Sequence, residues 1–148
     1  MPRSHALRKG RHSRANLVYM VTTVCADRKP LFGSFRNARA LVCSLQQAEA
    51  SASTLCFVVM PDHLHWMLQL KDGAELSETV RFVKARTTKI VKARWPGVGR
   101  VWQRGFHDHA VRSEENLRAL ARYVIANPVR AGLARSAAQY SHWDCIWL

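Results

Sequence analysis

Negative charge is scarce in this sequence. Its 148 residues hold ten Asp or Glu against 23 Lys or Arg, a formal net charge of +13. Solubility requires far less, so the excess points to a polyanionic partner. Long apolar runs are also missing. None approaches the ~20 residues of a membrane span, and no signal-peptide core follows the basic amino terminus, which gives the expectation of a cytoplasmic, nucleoid-associated protein with no membrane partner. Closely spaced cysteine pairs are absent too. Cys25, Cys43, Cys56 and Cys145 stand far apart, three of them in apolar or mixed surroundings, which favours reduced thiols over a disulfide frame or a zinc knuckle. There is no internal repeat and no low-complexity segment. With 48% apolar residues, the chain can bury one core, so a single domain over 1–148 is expected, with 1–15 as a flexible basic arm.

What is present is concentrated in two places. In Val58-Val59-Met60-Pro61-Asp62-His63-Leu64-His65-Trp66-Met67-Leu68 two histidines flank one apolar residue inside a strand-like run. Strand side chains alternate, so His63 and His65 share a face, about 7 Å apart along the backbone, while Leu64 turns to the core. Two imidazoles so placed can converge on one divalent ion, or can be half-exposed strand histidines. The second place is Ser113 to Pro128. Ser113 suits an N-cap, Glu114 and Glu115 suit the positive end of a helix, and Leu117, Leu120, Ala121, Val124 and Ile125 recur at helical spacing. Pro128 sets the end of this helix close to Asn127. Tyr123 and Asn127 then lie one turn apart on the flank of the apolar stripe. A helical tyrosine is commonly only an amphipathic edge residue, and Asn127 also suits a helix C-cap; both options stand beside a chemical one.

The His63-Leu64-His65 pair after Met60-Pro61-Asp62, the stretch Trp102-Gln103-Arg104-Gly105-Phe106 and the ending Tyr123-Val124-Ile125-Ala126-Asn127-Pro128-Val129-Arg130-Ala131-Gly132-Leu133 together resemble the REP-associated tyrosine transposases, members of the HUH single-strand transposases and nucleases. The resemblance extends to Gly10-Arg11-His12-Ser13 and Thr22-Thr23-Val24. It implies Tyr123 as the nucleophile on a DNA phosphate and His63, His65 and Asn127 as ligands of Mg2+ or Mn2+. A free tyrosine has a pKa near 10, and a cation that polarises the phosphate and stabilises the departing 3′ oxygen would supply part of the activation. Two imidazoles and one amide add no charge, so the ion keeps its Lewis acidity. The implied product is DNA joined through its 5′ phosphate to Tyr123, and the implied substrate is single-stranded DNA beside a REP-type hairpin. Some relatives are dimers that exchange the tyrosine helix, so a monomer and a homodimer both stand. The alternative is a non-catalytic binder of single strands or hairpins on a ferredoxin-like sheet.

Charge distribution supports either reading. From Arg81 to Arg104 there are eight basic residues and no acidic one. A wheel places Leu76, Val80, Val83, Ile90 and Val91 on the buried stripe of a helix and Arg81, Lys84, Lys89 and Lys92 on an adjoining face; these four, with Arg104, are candidate DNA contacts. Arg3, Arg8, Lys9, Arg11 and Arg14 form a basic arm, in which Arg11 and Arg14 are candidates for reading bases. A second His-x-His, His107-Asp108-His109, lies in a short alternating segment and is expected to face DNA or solvent. The patterns predict strands over 16–24, 54–60, 63–70 and 106–111, helices over 38–50 and 77–94, then the tyrosine helix: an α+β, ferredoxin-like β-α-β-β-α-β order with an antiparallel sheet. The aromatic tail from Tyr140 to Leu148 is expected to pack down.

Overall fold

The structure, a computed structural model, describes residues 17–147. Strand β1 (Val18–Val24) leads through two short 3₁₀ turns to helix α1 (Phe35–Gln47); β2 (Ala52–Met60) and β3 (His63–Leu70) form a tight hairpin; helix α2 (Leu76–Arg94) and a loop lead to β4 (His107–Val111). Helix α3 (Glu114–Ile125), the four-residue α4 (Asn127–Arg130) and a final strand β5 (Trp143–Cys145) complete the chain. All pairings are antiparallel and the order is β4-β1-β3-β2-β5. The first four strands and two helices make the ferredoxin-like arrangement. Among the described residues no helix is long and apolar enough to cross a membrane.

Alternation divides the core in two. Tyr19, Val21, Phe57, Val59, Leu64, Trp66 and Leu68 pack beneath α1 and α2, and Val18, Met20, Cys56, Val58 and Met67 pack beneath α3. Trp66 is fully buried, and its indole N–H donates to Thr54 Oγ1 at 2.9 Å, so its one polar atom is matched. In α2 the buried stripe is Leu76, Val80, Val83, Thr87 and Val91. Thr87 takes the place expected for Ile90 because its hydroxyl donates to Val83 O at 2.8 Å and so meets no unpaired burial.

Several boundaries differ from the pattern. Helix α1 starts at Phe35 rather than Ala38, because Ser34 caps it by accepting from Asn37 N. Helix α3 ends at Ile125, and Ala126, in right-handed geometry, takes the C-cap. The C-cap option for Asn127 is therefore corrected: Asn127 opens α4, where Pro128 is tolerated because a first turn needs no N–H there. The aromatic tail does pack down, and it does so as a strand. Cys145 faces Cys56 across β5 and β2, and the Tyr140 hydroxyl donates to Val59 O at 2.6 Å. All four cysteines are free thiols.

Trp66→Ala should lower the unfolding free energy by about 3–5 kcal/mol, the usual loss for a buried aromatic. Urea denaturation monitored by far-UV circular dichroism measures it.

Candidate active site

Both histidines stand on the α3 face of β3. His63 pairs with Val24 and Met60, and His65 with Thr22 and Val58. Their Nε2 atoms face each other at 3.2 Å. Each ring is held from behind. His63 Nδ1–H donates to Asp62 Oδ1 at 2.7 Å, which turns the lone pair of His63 Nε2 toward His65; His65 Nδ1 lies 3.0 Å from Thr22 Oγ1. A carboxylate behind an imidazole is the usual support of a metal-binding histidine.

Asp62 is itself fixed by a second partner. Arg28 Nη1 donates to Asp62 Oδ2 at 3.0 Å. Arg28 and its neighbour Asp27 both hold positive φ, 50° and 54°, a costly backbone for non-glycine residues that is maintained by the hydrogen bonds of Cys25 N to Asp62 O and Phe32 N to Pro61 O. Burial disfavours the charge of Asp62, but the His63 and Arg28 hydrogen bonds outweigh it and hold the carboxyl below its ordinary range. Burial pushes His65 down to about 4, with the charges of His63 and Arg130 adding to the effect.

Helix α3 supplies the other side. Ala121, Val124 and Ile125 anchor it to the sheet, with Leu117 and Leu120 half-buried at the seam. This seam leaves Tyr123 61% exposed. Asn127, half-buried, has an unmatched amide: Oδ1 accepts from Arg130 Nη2 at 2.6 Å, whereas Nδ2 is buried with no hydrogen-bond partner. The Arg130 guanidinium also lies 3.8 Å from the centroid of the Tyr123 ring. The field of Arg130 at His65 ties this trio to the histidine pair.

The donor set fits a divalent cation. Ligand bonds of about 2.1 Å at right angles separate neighbouring ligand atoms by about 3 Å, close to the observed nitrogen separation, and the Asn127 carboxamide would offer a neutral third donor through Oδ1, the atom that accepts from Arg130. Among the described residues no group of three His, Cys, Asp or Glu side chains could hold a metal ion.

The remaining predicted residues are distributed as follows. Lys84, Thr88, Lys92, Arg100 and Arg104 line a groove of about 580 Å³ between α2 and the 99–104 segment, with no acidic residue in its lining. Lys84 Nζ also donates to the carbonyls of Gln103 and Gly105, so it secures the groove wall as well as charging it. Arg81 pairs with Glu78, and Lys89 lies outside the groove lining. Gln103 N donates to Val24 O, opposite His63, so the 99–104 wall of the groove joins the sheet at its histidine end. His107 and His109 are exposed on the same face as His63 and His65, across β1 through Thr22 and Met20. Arg11 and Arg14 lie outside the described residues. Sequence reasoning assigned no role to Asp62, Thr22, Arg28 or Arg130. Asp62 was legible as the residue preceding the pair and Arg130 as the residue one turn after Asn127, whereas Thr22 and Arg28 come from distant segments.

Comparison with known proteins bears on the family and the fold. The model of the family described as "Transposase IS200 like" matches residues 13–127. The REP-associated tyrosine transposase of Escherichia coli K12 is 31% identical over 88 residues, covering 59% of this chain, and the chain spans only 48% of that protein's length. A Haemophilus influenzae protein that carries the same name provisionally is 26% identical over 133 residues, covering 78% of this chain and 72% of its own. A solved structure of a REP-associated tyrosine transposase bound to a REP hairpin shares the fold, with a TM-score of 0.73 at 21% identity over 90% of this chain and 79% of that one.

His65 binds its proton only near pH 4 when folded, against 6.5 when free. The unfolded chain therefore takes up the proton first as pH falls, so this contribution to stability is complete above pH 6.5 and is lost toward pH 4, at up to about 1.4 kcal/mol per pH unit. With a chelator present, the urea midpoint should fall across this window, and His65→Gln should flatten the fall.

Proposed function

The chain belongs to the IS200-like transposases, and from that premise we propose that it is a metal-dependent single-stranded DNA endonuclease and strand transferase acting at REP-type hairpins in the cytoplasm, with Tyr123 as nucleophile. The observation that carries this reading is the convergence of His63 Nε2 and His65 Nε2 to 3.2 Å beneath the helix that presents Tyr123 and leads into Asn127. The hairpin substrate is supported by the names of the relatives and by the hairpin-bound solved structure.

In this mechanism the basic groove guides the strand toward the histidine end of the sheet. Tyr123 Oη attacks the phosphorus in line; the new bond joins phosphorus to Oη, the bond to the 3′ oxygen breaks, and the phenolic proton is lost while the 3′ oxygen ends as a hydroxyl. His63, His65 and Asn127 would hold Mg2+ or Mn2+, which when bound supplies charge for the phosphate oxygens and the leaving group. Asp62 keeps the His63 lone pair directed at the site, and Thr22 orients His65. The exposure of Tyr123 suits a nucleophile that must receive a polymer, and the phosphotyrosine bond retains the energy needed for a second 3′ hydroxyl to reverse the step. A simple binding module is less well supported. Trp66 is buried beneath α1 and α2, and among the described residues the strands display no exposed Phe, Tyr or Trp on which bases would stack.

Tyr123→Phe should abolish the covalent adduct with a hairpin oligonucleotide while leaving its binding nearly unchanged; His63→Ala should lose activity with both Mg2+ and Mn2+. Denaturing gel electrophoresis reads the adduct and filter binding the affinity. Neutralising Lys92, Arg100 or Arg104 should weaken binding and reduce the slope of log affinity against log salt by about 0.7–0.9 per contact, with sequence preference retained. Lys89→Gln should leave the slope closer to the parent value, because Lys89 lies outside the groove lining.

A further inference from the structure

We propose that Arg130 is a positioning residue that makes cation binding at the histidine pair depend on a DNA phosphate, an inference that rests on reading this pair as the cation site of a nuclease. One side chain touches both functional groups of the tyrosine segment. Its Nη2 donates to Asn127 Oδ1 at 2.6 Å, and its guanidinium carbon lies 3.8 Å from the Tyr123 ring centroid. Asn127 Oδ1 is the atom a cation would use, since the nitrogen of that amide has no lone pair to give. Guanidinium and cation thus compete for one oxygen, and two positive charges would stand together beside His65.

A phosphate attacked by Tyr123 alters this balance. It must lie about 3–3.5 Å from the hydroxyl, which brings its oxygens within reach of a guanidinium stacked on the same ring. A charged phosphate is a stronger acceptor than a neutral amide and matches the guanidinium fork. Arg130 then turns to the phosphate, Oδ1 is released, and its charge is offset by the phosphate. Arg130 is exposed, so its replacement tests this coupling rather than the packing of the core.

The experiment measures Mn2+ affinity from the free-ion electron paramagnetic resonance signal, on the full chain carrying Tyr123→Phe to prevent cleavage. Titrations are run with and without a hairpin oligonucleotide bearing a single-stranded flank, corrected for manganese bound by the oligonucleotide alone. The hairpin should tighten Mn2+ binding about tenfold, the size of one charge-assisted hydrogen bond released. Adding Arg130→Ala should produce about the same tightening without DNA and leave only the smaller further gain that the phosphate charge itself supplies; Arg130→Lys, which keeps the charge, should remain nearer the parent. Equal Mn2+ affinity for the parent and Arg130→Ala, with the hairpin tightening both alike, would overturn the role of Arg130. Saturable Mn2+ binding that survives His63→Ala would overturn the cation site itself, and the proposal with it.

Discussion

Strand β3 is hydrogen-bonded on both sides, to β1 and to β2, and its pleat obliges adjacent residues to face opposite ways. Leu64, Trp66 and Leu68 fill the core beneath α1 and α2, which forces His63 and His65 to the other face. A slip of one residue would expose a tryptophan and bury two imidazoles, so the packing of one face fixes the chemistry of the other. Both neighbouring strands contribute to the result. β1 brings Thr22 behind His65, and the β2–β3 turn brings Asp62 behind His63. The histidine pair is thus oriented by the same register that holds the sheet together.

Helix α3 reaches this site by packing alone. Its apolar seam lies over Met20, Cys56, Val58 and Met67, and the break at Ala126 starts a new turn that presents Asn127 and Arg130 beside Tyr123. Hydrophobic contacts set the height of the helix over the sheet, and polar contacts among Tyr123, Asn127 and Arg130 define its exposed edge. Because those polar residues bear little of the packing, the edge can exchange partners while the helix stays seated.

Alternation around His63-Leu64-His65 is a short-range property, which makes the shared face of the histidines legible in the sequence; the spacing of Tyr123 and Asn127 is legible for the same reason. Arg28 reaches Asp62 only through a strained turn 34 residues earlier in the chain, a relation that no local pattern encodes. Strand β5 was hidden because three residues are too few to display alternation, and it is recognisable only by its pairing with β2. In α2 the wheel misassigned Ile90, since hydropathy does not register that Thr87 can satisfy its hydroxyl within its own helix. The basic face was likewise legible as charge, but the division of Lys84 between groove wall and groove charge depends on carbonyls brought in by the 103–105 segment.

The strand order carries a mechanical consequence for Tyr123. Helix α3 begins after β4 at one edge of the sheet, and the chain that follows it ends as β5 at the opposite edge. The tyrosine segment therefore crosses the sheet like a strap fastened at both sides, on the far side by the β5–β2 ladder and by Tyr140 on Val59. Lending this helix to a second copy would require unfastening that edge. Within one chain, any pull on Tyr123 is instead shared between two strand pairings, so its hydroxyl is tethered from both directions.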